Sequence, residues 1–140
     1  MTVRSFFDSN VLVYTDDADA TEKRERALDL WETHRRAGHA VISVQVLQEY
    51  YRVATAKLGV DPSVAIEKVM LFRRADVVQP GSDDVIAAAR LGIEHRLSFW
   101  DAMIVHMAMA ADCAVLFSED LQHGQRFAGL EIHNPFRAGS

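Results

Sequence analysis

Apolar and polar positions fall into alternating blocks along this chain, and the blocks predict short strands separated by longer helices. Val3 to Phe7 is an apolar-rich run that reads as a first strand ending near Asp8. The polar turn Asp8-Ser9-Asn10 opens at its carboxyl end, and a second apolar run, Val11-Leu12-Val13-Tyr14, lies beyond. A helix is expected from about Thr21 to Arg36, with Thr21 as cap, Glu22 and Glu25 in the first turn, Leu28 and Trp31 facing inward, and Gly38 as the stop. Ala40-Val41-Ile42-Ser43 predicts a second strand. The helix after it, from about Val44 to Leu58, gathers Val46, Leu47, Tyr50, Tyr51, Val53 and Ala54 on one face, with Glu49 at the edge. Pro62 suits the first turn of another helix, to about Arg74. Val77-Val78 is a short strand and Pro80-Gly81 a turn. Ser82 or Asp83 then caps a helix to about His95, with Val85, Ile86, Ala89 and Ile93 turned inward.

From Phe99 to Ala111 only Asp101 and His106 are polar, so apolar side chains cover every side of this helix and it belongs in the core. Ser98 is a good N-cap, which places Asp101 in the first turn, where the helix dipole favours a carboxylate. Ser98 and Asp101 also have capping-box spacing, so Asp101 has a purely local reading as well. Cys113 to Phe117 is a buried strand ending at Ser118-Glu119-Asp120, and Leu130 to His133 is a last strand. Strand and helix in alternation predict an α/β fold: three layers, α/β/α, with a mostly parallel central sheet flanked by helices, in a single domain over residues 1–140.

Composition narrows the class. The 140 residues are 49% hydrophobic and 25% charged, an ordinary balance for one globular core. The net charge of −5 argues against a broad basic surface that grips nucleic acid by counterion release alone. No run is long enough to span a bilayer and no signal-peptide pattern follows the first residues, so a cytoplasmic protein without membrane contact is expected. Cys113 is the one cysteine, which excludes an internal disulfide and a cysteine zinc cluster. Asp16, Asp17 and Asp19 do not make a calcium loop: an EF-hand begun at Asp17 needs Gly and Glu where the chain has Glu22 and Leu28.

The candidate chemistry lies where strands end. In a parallel sheet Asp8 and the pair Glu119-Asp120 share the carboxyl edge, the edge at which open α/β sheets bind ligands. Asp101 lies in the first turn and Glu49 in the second turn of helices that run back from that edge, so four acids from distant parts of the chain point at one patch. Such a cluster repels itself and raises its own pKa values. Oxygen ligands without cysteine, and with histidines out of zinc spacing, suit Mg²⁺ or Mn²⁺, and metal held this way points to phosphate chemistry. His106, five residues beyond Asp101, faces another way and reads as a core or interface histidine.

Four stretches in order resemble the motifs of the PIN-domain ribonucleases, particularly the VapC-type toxins of bacterial toxin–antitoxin pairs. These are Phe7-Asp8-Ser9-Asn10-Val11-Leu12, Ile42-Ser43 with Gln48-Glu49, Phe99-Trp100-Asp101-Ala102, and Leu116-Phe117-Ser118-Glu119-Asp120-Leu121. The resemblance implies metal-binding, catalytic acids at Asp8, Glu49, Asp101 and Asp120, with Ser9, Asn10 and Ser118 orienting them. The fourth motif departs from the family by an acid at its middle position, so Glu119 competes with Asp120 for the role. The implied reaction is hydrolysis of an RNA phosphodiester with one or two Mg²⁺ or Mn²⁺ ions, Asp8 and Asp101 anchoring the central one. The implied partners are a second copy of the chain and a small antitoxin protein. Two other readings compete. A haloacid-dehalogenase-like phosphatase also starts with a strand ending in Asp, but needs a second Asp where this chain has Asn10. A non-catalytic binding module would keep the fold and lose the reaction.

Overall fold

A computed structural model describes residues 2–138. Six strands form one sheet: β1 (Ser5–Phe7), β2 (Ala40–Ser43), β3 (Asp76–Val78), β4 (Val115–Phe117), β5 (Arg126–Phe127) and β6 (Leu130–His133). Their order is β3-β2-β1-β4-β6-β5. All neighbours run parallel except β5 and β6. The helices are α1 (Ser9–Tyr14), α2 (Thr21–Arg36), α3 (Val44–Ala56), α4 (Pro62–Phe72), α5 (Ser82–His95) and α6 (Phe99–Ala110). Helices α1 to α4 pack among themselves, while α5 lies along α6. The result is the α/β/α arrangement expected of the pattern.

Strands β1 and β2 are buried along their whole length, as central strands covered on both faces must be. Phe7 lies at the centre of the core, edge-on to Trp31 at 5.0 Å and beside Phe117 at 5.1 Å. Those contacts tie β1, β4 and α2 together, and burial of side chains this large contributes about 2–3 kcal/mol each. In the parallel register of β1 and β4, Phe7 stands opposite Phe117. The next residues, Asp8 and Ser118, are therefore neighbours at the carboxyl edge. The Asp8 amide extends the ladder by donating to the Phe117 carbonyl at 2.9 Å.

Helix α6 is a core element: Ala102, Met103, Ile104, Val105, Met107 and Ala108 are all buried, and the Ser98 hydroxyl caps it by accepting from the Asp101 amide. Its fit against α5 overturns the expected inward face of that helix. Ala88 and Gly92 are the buried residues of α5, while Val85, Ile86, Ala89 and Ile93 face out, Ile93 with 82% of its surface exposed. The cause is close approach. A Cβ on Gly92 would stand 3.1 Å from the Leu97 carbonyl oxygen and 3.4 Å from the Ala102 Cβ, so only small residues fit between the helices. His106, half-buried, bonds Asp84 of α5 through Nε2 at 2.8 Å and joins the two helices.

Other expectations shift by smaller amounts. In α2 the inward residues are Ala27, Leu30, Trp31 and His34, and Leu28 is exposed because the packed stripe runs one position earlier. The caps of α2 and α5 are Ala20 and Gly81, with Thr21 and Ser82 already helical. Two elements are absent from the sequence reading: the helix α1, which begins immediately after β1, and the two-residue strand β5. Among the described residues no helix is long and apolar enough to cross a membrane.

Candidate metal centre

Asp8 is the buried pivot of the carboxyl edge. It caps α1, its Oδ1 accepting the Ser9 amide at 2.8 Å, so strand passes to helix without a loop. Its Oδ2 accepts the Ser118 hydroxyl at 2.8 Å and the Asn10 amide at 3.2 Å. The Asn10 side chain is fixed by its own carbonyl, which accepts the Glu119 backbone N–H at 3.1 Å. Its Nδ2 thereby faces Asp8, and it also donates to Asp120 Oδ2 at 3.2 Å. Ser9 reaches the opposite way and donates from Oγ to Glu49 Oε1 at 3.2 Å.

Three of the four candidate acids, Asp8, Glu49 and Asp120, are thus linked through Ser9, Asn10 and Ser118. Burial pushes the Asp8 carboxyl up, and the charges of Glu49 and Asp120 add to that. The Ser118 and Ser9 hydrogen bonds pull it back, leaving a pKa of about 7. A buried carboxylate held among like charges is stabilised by a cation, and the donors within reach are all oxygens, the preference of a hard divalent ion.

Asp101 stands at the same edge but outside this network. Gln45, in the first turn of α3, donates from Nε2 to the Trp100 carbonyl at 3.2 Å. That contact places the start of α6 beside the start of α3, where β2 ends. The Asp101 carboxylate makes no hydrogen bond among the described residues, and the capping-box bond back to Ser98 is not formed. Among those residues, no group of three or more acids, histidines or cysteines is arranged to hold a metal ion.

Glu119 turns away from the pivot. Its Oε1 accepts the Tyr14 hydroxyl at 2.6 Å and its Oε2 pairs with Lys23 at 2.6 Å. The Glu119 bond is the main reason the Lys23 pKa is raised, while burial, with Glu119 beside it, raises that of Tyr14. Lys23 also lies over the Tyr14 ring at 4.9 Å. Tyr14 and Lys23 escaped the sequence reading, since nothing in their spacing from residue 119 announces the contact. Asn10 was expected to orient ligands, but its position between Asp8 and Asp120 follows only from the register of β1 with β4.

The profile of the PIN domain matches residues 5–127. This chain belongs to the PIN-domain family. No curated protein sequence matches it. Solved structures of a VapC toxin and of VapBC complexes resemble it along most of its length. The VapC20 toxin of Mycobacterium tuberculosis, which cleaves the sarcin–ricin loop, is 20% identical with a TM-score of 0.68, over 83% of this chain and 91% of that one. The DNA-bound VapBC of Salmonella typhimurium is 18% identical with a TM-score of 0.69, over 96% and 99%. The DNA-bound VapBC2 of Rickettsia felis is 18% identical with a TM-score of 0.68, over 93% and 97%. At these identities the likeness is one of fold.

Proposed function

We propose that this PIN-domain protein is a divalent-metal-dependent endoribonuclease and the toxin of a toxin–antitoxin pair. The observation that carries the reading is the buried Asp8, held by Ser118 and Asn10 and raised to a pKa of about 7 beside Glu49 and Asp120. Asp8 and Asp101 would hold the central Mg²⁺ or Mn²⁺, with Glu49 and Asp120 completing the site directly or through water. Bound there, the ion neutralises phosphoryl charge and makes water a better nucleophile.

The chain's own residues do the rest. Ser9, Asn10 and Ser118 fix the carboxylates before substrate arrives, which is how a second layer of hydrogen bonds tunes a metal site. Glu49 and Asp120 line an open cleft of about 440 Å³ and there can take the proton that attacking water loses. Asn10 donates to carboxylates and has no acid to give, which speaks against phosphatase chemistry of the haloacid-dehalogenase kind. The toxin role and an antitoxin partner are supported by the VapC and VapBC folds the chain is similar to, and a homodimer is part of the same proposal.

The test is cleavage of a mixed pool of cellular RNA by the purified chain with Mn²⁺, with excess chelator, and with Asp8→Asn in Mn²⁺. Cleavage in the first case alone is the expected result. RNA left intact in all three, while Mn²⁺ still binds, would reduce the protein to a non-catalytic module. For the toxin role, induced expression should arrest growth, and the Asp8→Asn chain should not.

A further inference from the structure

Of the acids in the hydrogen-bonded group, Glu49 is held lightly at its own carboxylate. Among the described residues its one side-chain hydrogen bond is the 3.2 Å contact from Ser9. The next residue is held hard. Tyr50 is wholly buried, stands edge-on to Phe72 at 5.0 Å, and donates from its hydroxyl to Oδ2 of Asp16. The other Asp16 oxygen pairs with Lys68 of α4 at 3.1 Å. Lys68 also donates to the Thr15 hydroxyl at 3.2 Å, and Thr15 donates to the Leu12 carbonyl at 2.5 Å, closing the end of α1.

Helix α1, with six residues, is too short to hold its shape alone. It meets α3 at two points. Ser9 at its start touches Glu49, and Asp16, just past its end, takes Tyr50. Apolar packing has no preferred direction, whereas the bond from Tyr50 does, so it resists rotation of α3 about its axis. Such a rotation matters to Glu49. A turn of ~20° carries a group on the helix surface, ~5–6 Å from the axis, through ~2 Å. Reacting groups must be held to ~0.5 Å. Tyr50 itself is not among the residues that line the cleft, so its effect there passes through its neighbour.

We infer that Tyr50, held by Asp16 and Lys68, is a positioning residue that sets the place of the Glu49 carboxylate in the cleft. This rests on the divalent-metal reading of the same site. Helix α3 is pinned to the far end of α1, and Ser9, at the near end, then meets Glu49 at hydrogen-bond distance. The hydroxyl of Tyr50 carries this role, while its ring serves the core by packing against Phe72. Lys68 completes the arrangement from α4: without it Asp16 is a half-buried carboxylate with a single side-chain donor.

The test is a double-mutant cycle on the full chain: Tyr50→Phe, Glu49→Gln and the two combined, with Mn²⁺ affinity measured by calorimetry. Tyr50→Phe keeps the ring against Phe72, and a cooperative urea transition shows that each variant is folded. Tyr50→Phe should weaken Mn²⁺ binding about 10-fold where Glu49 is present and leave it unchanged in the Glu49→Gln background. Lys68→Met, which leaves Tyr50 intact, should act in the same sense. In metal-free crystals of Tyr50→Phe, the Glu49 carboxylate should stand more than ~0.5 Å from its wild-type place once the sheets are superimposed. A loss of equal size in both backgrounds, no loss in either, or a Glu49 carboxylate that has not moved overturns the inference and leaves the metal reading standing. A wild-type chain that neither binds Mn²⁺ nor cuts RNA overturns both.

Discussion

The Asn10 amide and the Ser118 hydroxyl, 108 residues apart in the chain, meet at 3.3 Å and both donate to Oδ2 of Asp8. One residue lies in the first turn of α1 and the other directly follows β4. Their meeting turns the β1–β4 pairing into a device that fixes a buried carboxylate. Ser118→Ala removes the shorter of the two bonds, and Asp8 loses the contact that most lowers its pKa. Mn²⁺ affinity should fall about 10-fold or more, as is typical when such a supporting bond is lost. Stability should fall by about 1 kcal/mol. Calorimetric titration and urea unfolding read the two effects separately.

The raised pKa of Asp8 has a consequence for stability. Between its ordinary value of 3.8 and about 7, the folded chain holds a proton that the unfolded chain has released. Metal-free protein therefore loses stability as pH rises through that window and is least stable above it. At about 1.4 kcal/mol per pKa unit, the ceiling on this loss is about 4 kcal/mol. Thermal melting from pH 5 to 8 in chelator should show a falling Tm. The fall should be reduced by Mn²⁺ and in Asp8→Asn. A Tm that rises with pH in all three samples contradicts the assignment of the proton to Asp8.

Glu119 and Asp120 are adjacent in sequence and opposed in space. Glu119 is held by Tyr14 and Lys23, Asp120 by Asn10. Glu119→Gln should leave Mn²⁺ affinity within about threefold of wild type, while Asp120→Asn should weaken it about 10-fold. The reverse order, read by titration, would transfer the fourth acid's role to Glu119.

The seam between α5 and α6 sets a different limit. Gly92→Val puts branched carbon against the Leu97 carbonyl, a backbone atom with little freedom to give way. Urea unfolding should show a loss of about 1–3 kcal/mol. Ile93→Ser, one residue on and almost wholly exposed, should stay within about 0.5 kcal/mol of wild type.

Most strands and long helices were legible because their apolar spacing is dictated by burial, and α6 was unmistakable since nearly all its positions are apolar. The inward face of α5 was not. Periodicity favours the largest apolar residues, Val85, Ile86 and Ile93, whereas the close approach of α6 selects the smallest, Ala88 and Gly92. Helix α1 was hidden because Asp8 ends the strand and caps the helix at once, leaving no loop to mark the change. The acids themselves were legible as strand-end residues. The bonds that join Asp8 to Asp120 through Asn10 depend on strand register, which local sequence does not display. Asp101 shows the remaining gap: its place at the edge follows from topology, but its carboxylate is not drawn into the hydrogen-bonded group.

The central claim is that Asp8 and Asp101 share a divalent ion with Glu49 and Asp120 around it. A crystal of the chain soaked in Mn²⁺, with anomalous scattering measured at the manganese edge, tests it most directly. The account predicts an anomalous peak at about 2.0–2.3 Å from oxygens of both Asp8 and Asp101. A peak bound elsewhere on the chain, or one that touches Asp8 while Asp101 stays out of reach even through a bridging water, would contradict it.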